Sequence, residues 1–198
     1  MKVRTLSVFG LLAIGILLQQ SACMAENVGH YIEGKGTTQD YNRAIELGNE
    51  ANHLSKTGKF QEALELDKKA TSLYPYDPMR HYNLACDYFG LKKFDEAISL
   101  LNKAIEMEPG YATAWTTKGE CYESKGDLKE ADKCYRKAYS IDPNSFTTCF
   151  NIGDVLLQNK NPVEAKTWFV KAKTLSNDPT RLAKIEDRLA KIAKMLSK

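Results

Sequence analysis

The chain has 198 residues, 43% of them hydrophobic and 27% charged, which is the composition of a folded domain of ordinary size and not of a disordered chain. Its 28 basic and 25 acidic residues give a net charge of +3; without Lys2 and Arg4 the remainder carries 26 basic against 25 acidic residues. So balanced a body offers no basic footprint for nucleic acid.

Lys2 and Arg4 precede an apolar run over 6–18, followed by Gln19, Gln20 and the small residues Ser21, Ala22 and Ala25. This is the pattern of a secretory signal peptide over 1–25, the apolar run falling short of the roughly 20 residues that span a bilayer. Two processing routes share these residues. Cleavage after Ala25 places Cys23 and Ala25 at the positions read by signal peptidase. In the bacterial lipoprotein pattern Cys23 is instead the lipidated first residue; Ser21 and Ala22 suit that pattern, whereas Gln20 stands where leucine is usual. The expectation is an exported protein, periplasmic or extracellular, or anchored to the membrane through Cys23.

Residues 26–37 hold Gly29, Gly34 and Gly36 without helical periodicity and read as a flexible leader. From Thr38 the apolar and small residues take helical spacing: Tyr41, Ile45, Leu47, Ala51 and Leu54 mark a first helix. Phe60, Ala63, Leu64, Leu66, Ala70 and Leu73 mark a second, stopped by Pro75. The pattern then recurs every 34 residues. Pro75, Pro109 and Pro143 keep that period, as do Ala63, Ala97, Ala131 and Ala165, and again Ala70, Ala104, Ala138 and Ala172. Asp77-Pro78, Asn161-Pro162 and Asp178-Pro179 each supply an N-cap followed by proline in the first helical turn.

A helix-turn-helix unit of this period resembles the tetratricopeptide repeat. Counted in that frame, the repeats begin at 44, 78, 112 and 146. The eighth position, small in the family, holds Ala51, Ala85, Gly119 and Gly153; the eleventh, large, holds Leu54, Tyr88, Tyr122 and Leu156. In the third repeat Trp115, Gly119, Tyr122, Ala131, Tyr135, Ala138 and Pro143 fit the signature, and Lys118 departs from it. Glu50 and Asp67 occupy ordinarily apolar positions of the first repeat, and Asn177 replaces the proline of the fourth. The resemblance implies an all-α, right-handed superhelical solenoid of four repeats, about 38–77, 78–111, 112–145 and 146–177. Beyond them Leu182, Ile185, Leu189, Ile192 and Leu196 form one stripe of an amphipathic helix over 178–198, read as a cap on the last apolar face, with Arg181, Lys184, Arg188, Lys191, Lys194 and Lys198 on its other side.

In such proteins the first helix of each pair lines an inner face on which peptides dock. Here that face includes Asn49 and Asn52; Tyr82, Asn83, Cys86 and Phe89; Thr117 and Glu120; and Phe150, Asn151 and Asp154. These form the expected peptide-binding site: aromatics packing does not require are anchors, and amides can donate and accept along an extended main chain. The family's best-known variant clamps a C-terminal carboxylate with Lys, Arg and Asn; Gly48, Thr113 and Thr117 stand where three of its basic residues would be. With Glu120, Glu123 and Asp154 on the same face, the expected ligand brings aliphatic or aromatic anchors and a basic residue.

Catalysis has little to work with. His30, His53 and His81 begin no metal motif, His81 and Cys86 fall on different faces of one helix, and there is no Gly-rich phosphate loop. Cys86, Cys121, Cys134 and Cys149 lack periodic or Cys-x-x-Cys spacing and read as small packing residues. The expectation is a non-enzymatic adaptor, without metal, cofactor, small-molecule substrate or nucleic acid, that binds a protein or peptide in extracytoplasmic assembly. The alternative is a structural subunit that self-associates through its terminal helix or the edge of the array.

Overall fold

The computed structural model describes residues 37–197. The segment read as a signal peptide, Cys23 within it, and most of the leader lie outside the described residues. The described residues form helices and turns only: α1 (Thr38–Lys56), α2 (Phe60–Leu73), α3 (Pro78–Gly90), α4 (Phe94–Met107), α5 (Ala112–Ser124), α6 (Leu128–Ile141), α7 (Phe146–Gln158), α8 (Pro162–Thr174) and α9 (Pro179–Leu196). Successive pairs fold into antiparallel hairpins, each stacked on the next, and α9 closes the stack against α8.

Six of the nine described helices start on a side-chain cap. Thr37 and Asp40 form a reciprocal capping box on α1. Asp77, Asp127, Ser145, Asn161 and Asp178 accept hydrogen bonds from the amides that open α3, α6, α7, α8 and α9. The hairpin turns repeat one geometry at the 34-residue interval: Gly58, Lys92, Gly126 and Lys160 all adopt left-handed backbone, with φ of 80°, 60°, 82° and 58°. Two lysines accept that conformation at a cost of roughly 1 kcal/mol each.

The recurring alanines are where helices touch. Ala63, Ala97, Ala131 and Ala165, and Ala70, Ala104, Ala138 and Ala172, are all 0% exposed. The eighth position is matched to the side chain it faces. Gly119 admits Tyr135, whose ring would stand 2.5 Å from a Cβ there, and Gly153 admits Phe169, at 2.8 Å. In the second repeat the corresponding pair is Ala85 and Leu101. Tyr135 and Phe169 are fully buried, and burial of a ring of that size stabilises by about 2–3 kcal/mol.

The first repeat departs from this scheme. Glu50 is exposed, but Asp67, at the position of Leu101, Tyr135 and Phe169, is 2% exposed. It faces the buried Asp87 of α3, whose carboxyl accepts from Ser55. The guanidinium of Arg80 enters beside them and donates to Ala44 O at 3.1 Å. Gly48 is glycine because a Cβ would overlap Arg80 Nη1.

On α9 Ile185 and Ile192 are buried and Leu182 and Leu189 half-buried, but Leu196, the last residue of the expected stripe, is 50% exposed because the stack ends before it. No helix among the described residues is long and apolar enough to cross a membrane.

Candidate functional site

The first helices of the hairpins, α1, α3, α5 and α7, stand side by side and are tied across one face by side chains. Ser55 of α1 bonds Asp87 of α3. Tyr82 of α3 bonds Thr117 of α5 and packs its ring 5.2 Å from Tyr111. Thr116 of α5 bonds Thr148 of α7 at 3.1 Å, and Asn151 of α7 donates to Glu120 at 3.2 Å.

The expected site residues fall into three sets. Asn49 and Asn52 are exposed, and Tyr82, Asn83, Cys86, Phe89, Glu120, Phe150, Asn151 and Asp154 are half-buried. Thr117 is buried at 8% exposure, shielded where α3 and α5 converge and committed to Tyr82. Phe89 packs edge-on against Phe94 at 5.6 Å, and Phe150 against Phe169 at 5.4 Å, so both rings are held by the core while staying half-buried. Met79, on the same face, is 51% exposed and adds an apolar contact.

The acidic part of the face is largely self-compensated. Glu123 accepts from Tyr135 Oη at 2.8 Å and from Gln158. Asp154 accepts from Arg188 Nε at 2.6 Å. Glu120 is left with one bond, from Asn151; burial raises its pKa, with the bond from Asn151 acting in the opposite direction. Its second carboxylate oxygen is the acceptor available to a ligand.

The residues sequence reasoning misplaced are those of α9. Arg188, assigned to the outer basic side, is half-buried and folded over α7 onto Asp154 and the ring of Phe150. The signal was present: Arg181, Lys184 and Arg188 stand one 34-residue interval after Thr147, Phe150 and Asp154. Helix α9 therefore occupies the place of a fifth inner helix.

The thiols are poor nucleophiles. Cys86, Cys121, Cys134 and Cys149 are free. Burial pushes Cys86, Cys134 and Cys149 up to about 11 and Cys121 up to about 12, so the thiolate is scarce at neutral pH. His81 is buried with Nε2 2.8 Å from Pro75 O. Among the described residues no group of three or more His, Cys, Asp or Glu is arranged to hold a metal.

A row of helical hairpins with one lined face defines a helical-repeat scaffold. Family models described as tetratricopeptide repeat match residues 82–146 and 146–179. Residues 82–179 thus carry tetratricopeptide repeats. It is similar to RNA polymerase II-associated protein 3 of Homo sapiens, 33% identical over 114 residues, which is 58% of this chain and 17% of that protein. It is also similar to the Hsp70-Hsp90 organising protein of Plasmodium falciparum, 29% identical over 107 residues, 54% of this chain and 41% of that protein. The chain thus spans less than half the length of these relatives. Among solved structures, the first repeat domain of Spaghetti bound to the HSP90 peptide SRMEEVD matches with a TM-score of 0.58 at 29% identity, covering 61% of this chain and 95% of that one. The crystal structure of MamA matches with a TM-score of 0.61 at 26% identity, covering 76% and 82%.

Proposed function

We propose that the chain is a non-enzymatic interaction module that holds an extended segment of a partner protein along the face formed by α1, α3, α5 and α7. The observation that carries this reading is the coexistence on that face of core-anchored aromatics, Phe89 and Phe150, with the exposed amides Asn49 and Asn52 and the half-buried Asn83. An aromatic whose back is held by the core loses little entropy on binding, and amides match the alternating donors and acceptors of an extended main chain. The peptide complex of the Spaghetti domain supports the same use of the fold.

The ligand differs in chemistry from one clamped only by its C-terminal carboxylate. Gly48 is filled by Arg80, and Thr113 and Thr117 are neutral, so the middle of the face lacks the cations of that clamp. Glu120 favours a basic side chain there, and Met79, Phe89 and Phe150 favour apolar anchors. We place the adaptor outside the cytoplasm because of the segment over 1–25, with Cys23 as the candidate lipid attachment; fractionation of cells with and without Cys23→Ser tests that placement.

Selection from a library of random peptides tests the binding reading. Peptides retained by the full chain should bind about tenfold or more weakly to Asn52→Ala/Asn83→Ala, the loss of one or two hydrogen bonds to an extended chain. Equal binding, or no retained peptide, contradicts it.

A further inference from the structure

We propose that α9 completes the binding face as well as closing the core, and that Arg181 and Lys184 receive acidic side chains of the extended peptide. This rests on the groove reading above and adds the charge of the segment at its far end.

Four side chains form a ladder at the α7–α9 junction. The guanidinium of Arg181 lies 4.8 Å from the centre of the Phe146 ring. Phe146 stacks on Phe150 with centres 5.8 Å apart and planes 19° apart, and Arg188 lies 5.9 Å from the centre of Phe150. Of the two arginines only Arg188 is spent: Asp154 and Asp187 both pair with it. Arg181 is in none of the ion pairs of the described residues; its charge acts on the nearby Asp178, but that carboxyl is hydrogen-bonded to the amides of Thr180 and Arg181 at the start of the helix, not to the guanidinium. A guanidinium laid on a ring keeps its N–H edge free for a carboxylate in the ring-parallel plane. Lys184 is exposed and close to one turn further along the same helix, and it too is in none of the ion pairs among the described residues.

The spacing selects the occupant. Cations three residues apart on a helix are roughly 5–6 Å apart at Cβ. Alternate side chains of an extended peptide lie roughly 6.6 Å apart on one side. Two acidic side chains separated by one residue therefore meet both cations, which a single terminal carboxylate does not. A polyanion such as nucleic acid is opposed by Glu120 and Glu123 on the same face, whereas a peptide can change sign along its length. The segment that fits carries an apolar and basic stretch over α3 and α5 and an acidic pair over α9.

The experiment uses the full chain, the library of random peptides with blocked C-termini, and the exposed double variant Arg181→Gln/Lys184→Gln, checked for unchanged helix content. The retained peptides are expected to carry Asp or Glu at alternate positions near one end, and to bind the variant about tenfold or more weakly at low salt, the usual worth of a charge-assisted bond. Their Gln-substituted counterparts should bind both proteins equally. Retained peptides without acidic residues, or acidic peptides bound equally by the variant, overturn the inference and leave the groove reading standing. Retention only from a parallel library with free C-termini overturns it in favour of a terminal carboxylate. Failure of the wild-type chain to retain any peptide from either library overturns the groove reading and this inference with it.

Discussion

The buried pair Asp67 and Asp87 makes the stability of the first two repeats depend on pH in a direction opposite to that of most carboxylates. Burial first, and the facing Asp87 second, push Asp67 up to about 7, although Arg80 draws it down. Burial raises Asp87 as well. Asp67 Oδ1 and Asp87 Oδ2 have no hydrogen-bond partner unless one proton lies between the two carboxyls. The folded state therefore binds that proton more tightly than the unfolded chain, in which Asp titrates at 3.8. Stability from this pair is complete below that value and is lost as pH rises towards neutrality, by roughly 1.4 kcal/mol at most for each unit of pH. With the attraction of Arg80 discounted, the total is on the order of 2–4 kcal/mol. Asp67→Asn supplies a permanent donor in place of the proton. Denaturant midpoints at pH 4.5 and pH 8 should show the variant level with the wild type in acid and more stable by about 2 kcal/mol or more in base. The capping carboxylates Asp40 and Asp178, lowered by the backbone amides they accept from, titrate alike in both proteins and cancel in the difference. A variant that is less stable by the same amount at both pH values would refute a shared proton.

Three further perturbations follow from the packing. Gly119→Ala places a methyl 2.5 Å from the Tyr135 ring and should destabilise by about 1–3 kcal/mol, with part of the loss restored by Tyr135→Leu, since Ala85 already faces Leu101; thermal melts of the single and double variants check the coupling. Lys92→Gly and Lys160→Gly relieve left-handed backbone at the two non-glycine turns and should each raise stability by roughly 0.5–1 kcal/mol in the same assay. A thiol-specific reagent at pH 7.5 should modify the half-buried Cys86 first and Cys121 and Cys149 only on the time scale of local opening, as followed by mass spectrometry.

The all-helical solenoid was legible because the contacts that build it recur in the sequence. Two alanines in the second helix of each hairpin are fully buried where helices pack, so the period of Ala63 and Ala70 states the stacking without coordinates. N-caps such as Asn161 and Asp178 were equally plain, since their partners lie within three residues. Two things escaped. Asp67 of α2 meets Asp87 and Arg80 of α3, and no local pattern announces a buried polar cluster where an apolar side chain is usual. Arg188 was assigned by its helical stripe, which says that it is not core but not that a neighbouring Asp154 draws it across the inner face. The burial of Thr117 has the same origin, because it depends on how closely α3 approaches α5. Local spacing fixes which residues face the same way; the gap between two helices decides which of them remain open.

The most direct test of an inner-face binding module is to titrate an isotope-labelled chain with a peptide retained from the library and to follow amide and aromatic resonances. The shifts should cluster on α1, α3, α5 and α7, with Asn52, Asn83, Phe89 and Phe150 among the most affected, and extend to Arg181 and Lys184 of α9. Shifts confined to the outer helices α2, α4, α6 and α8 would contradict the account.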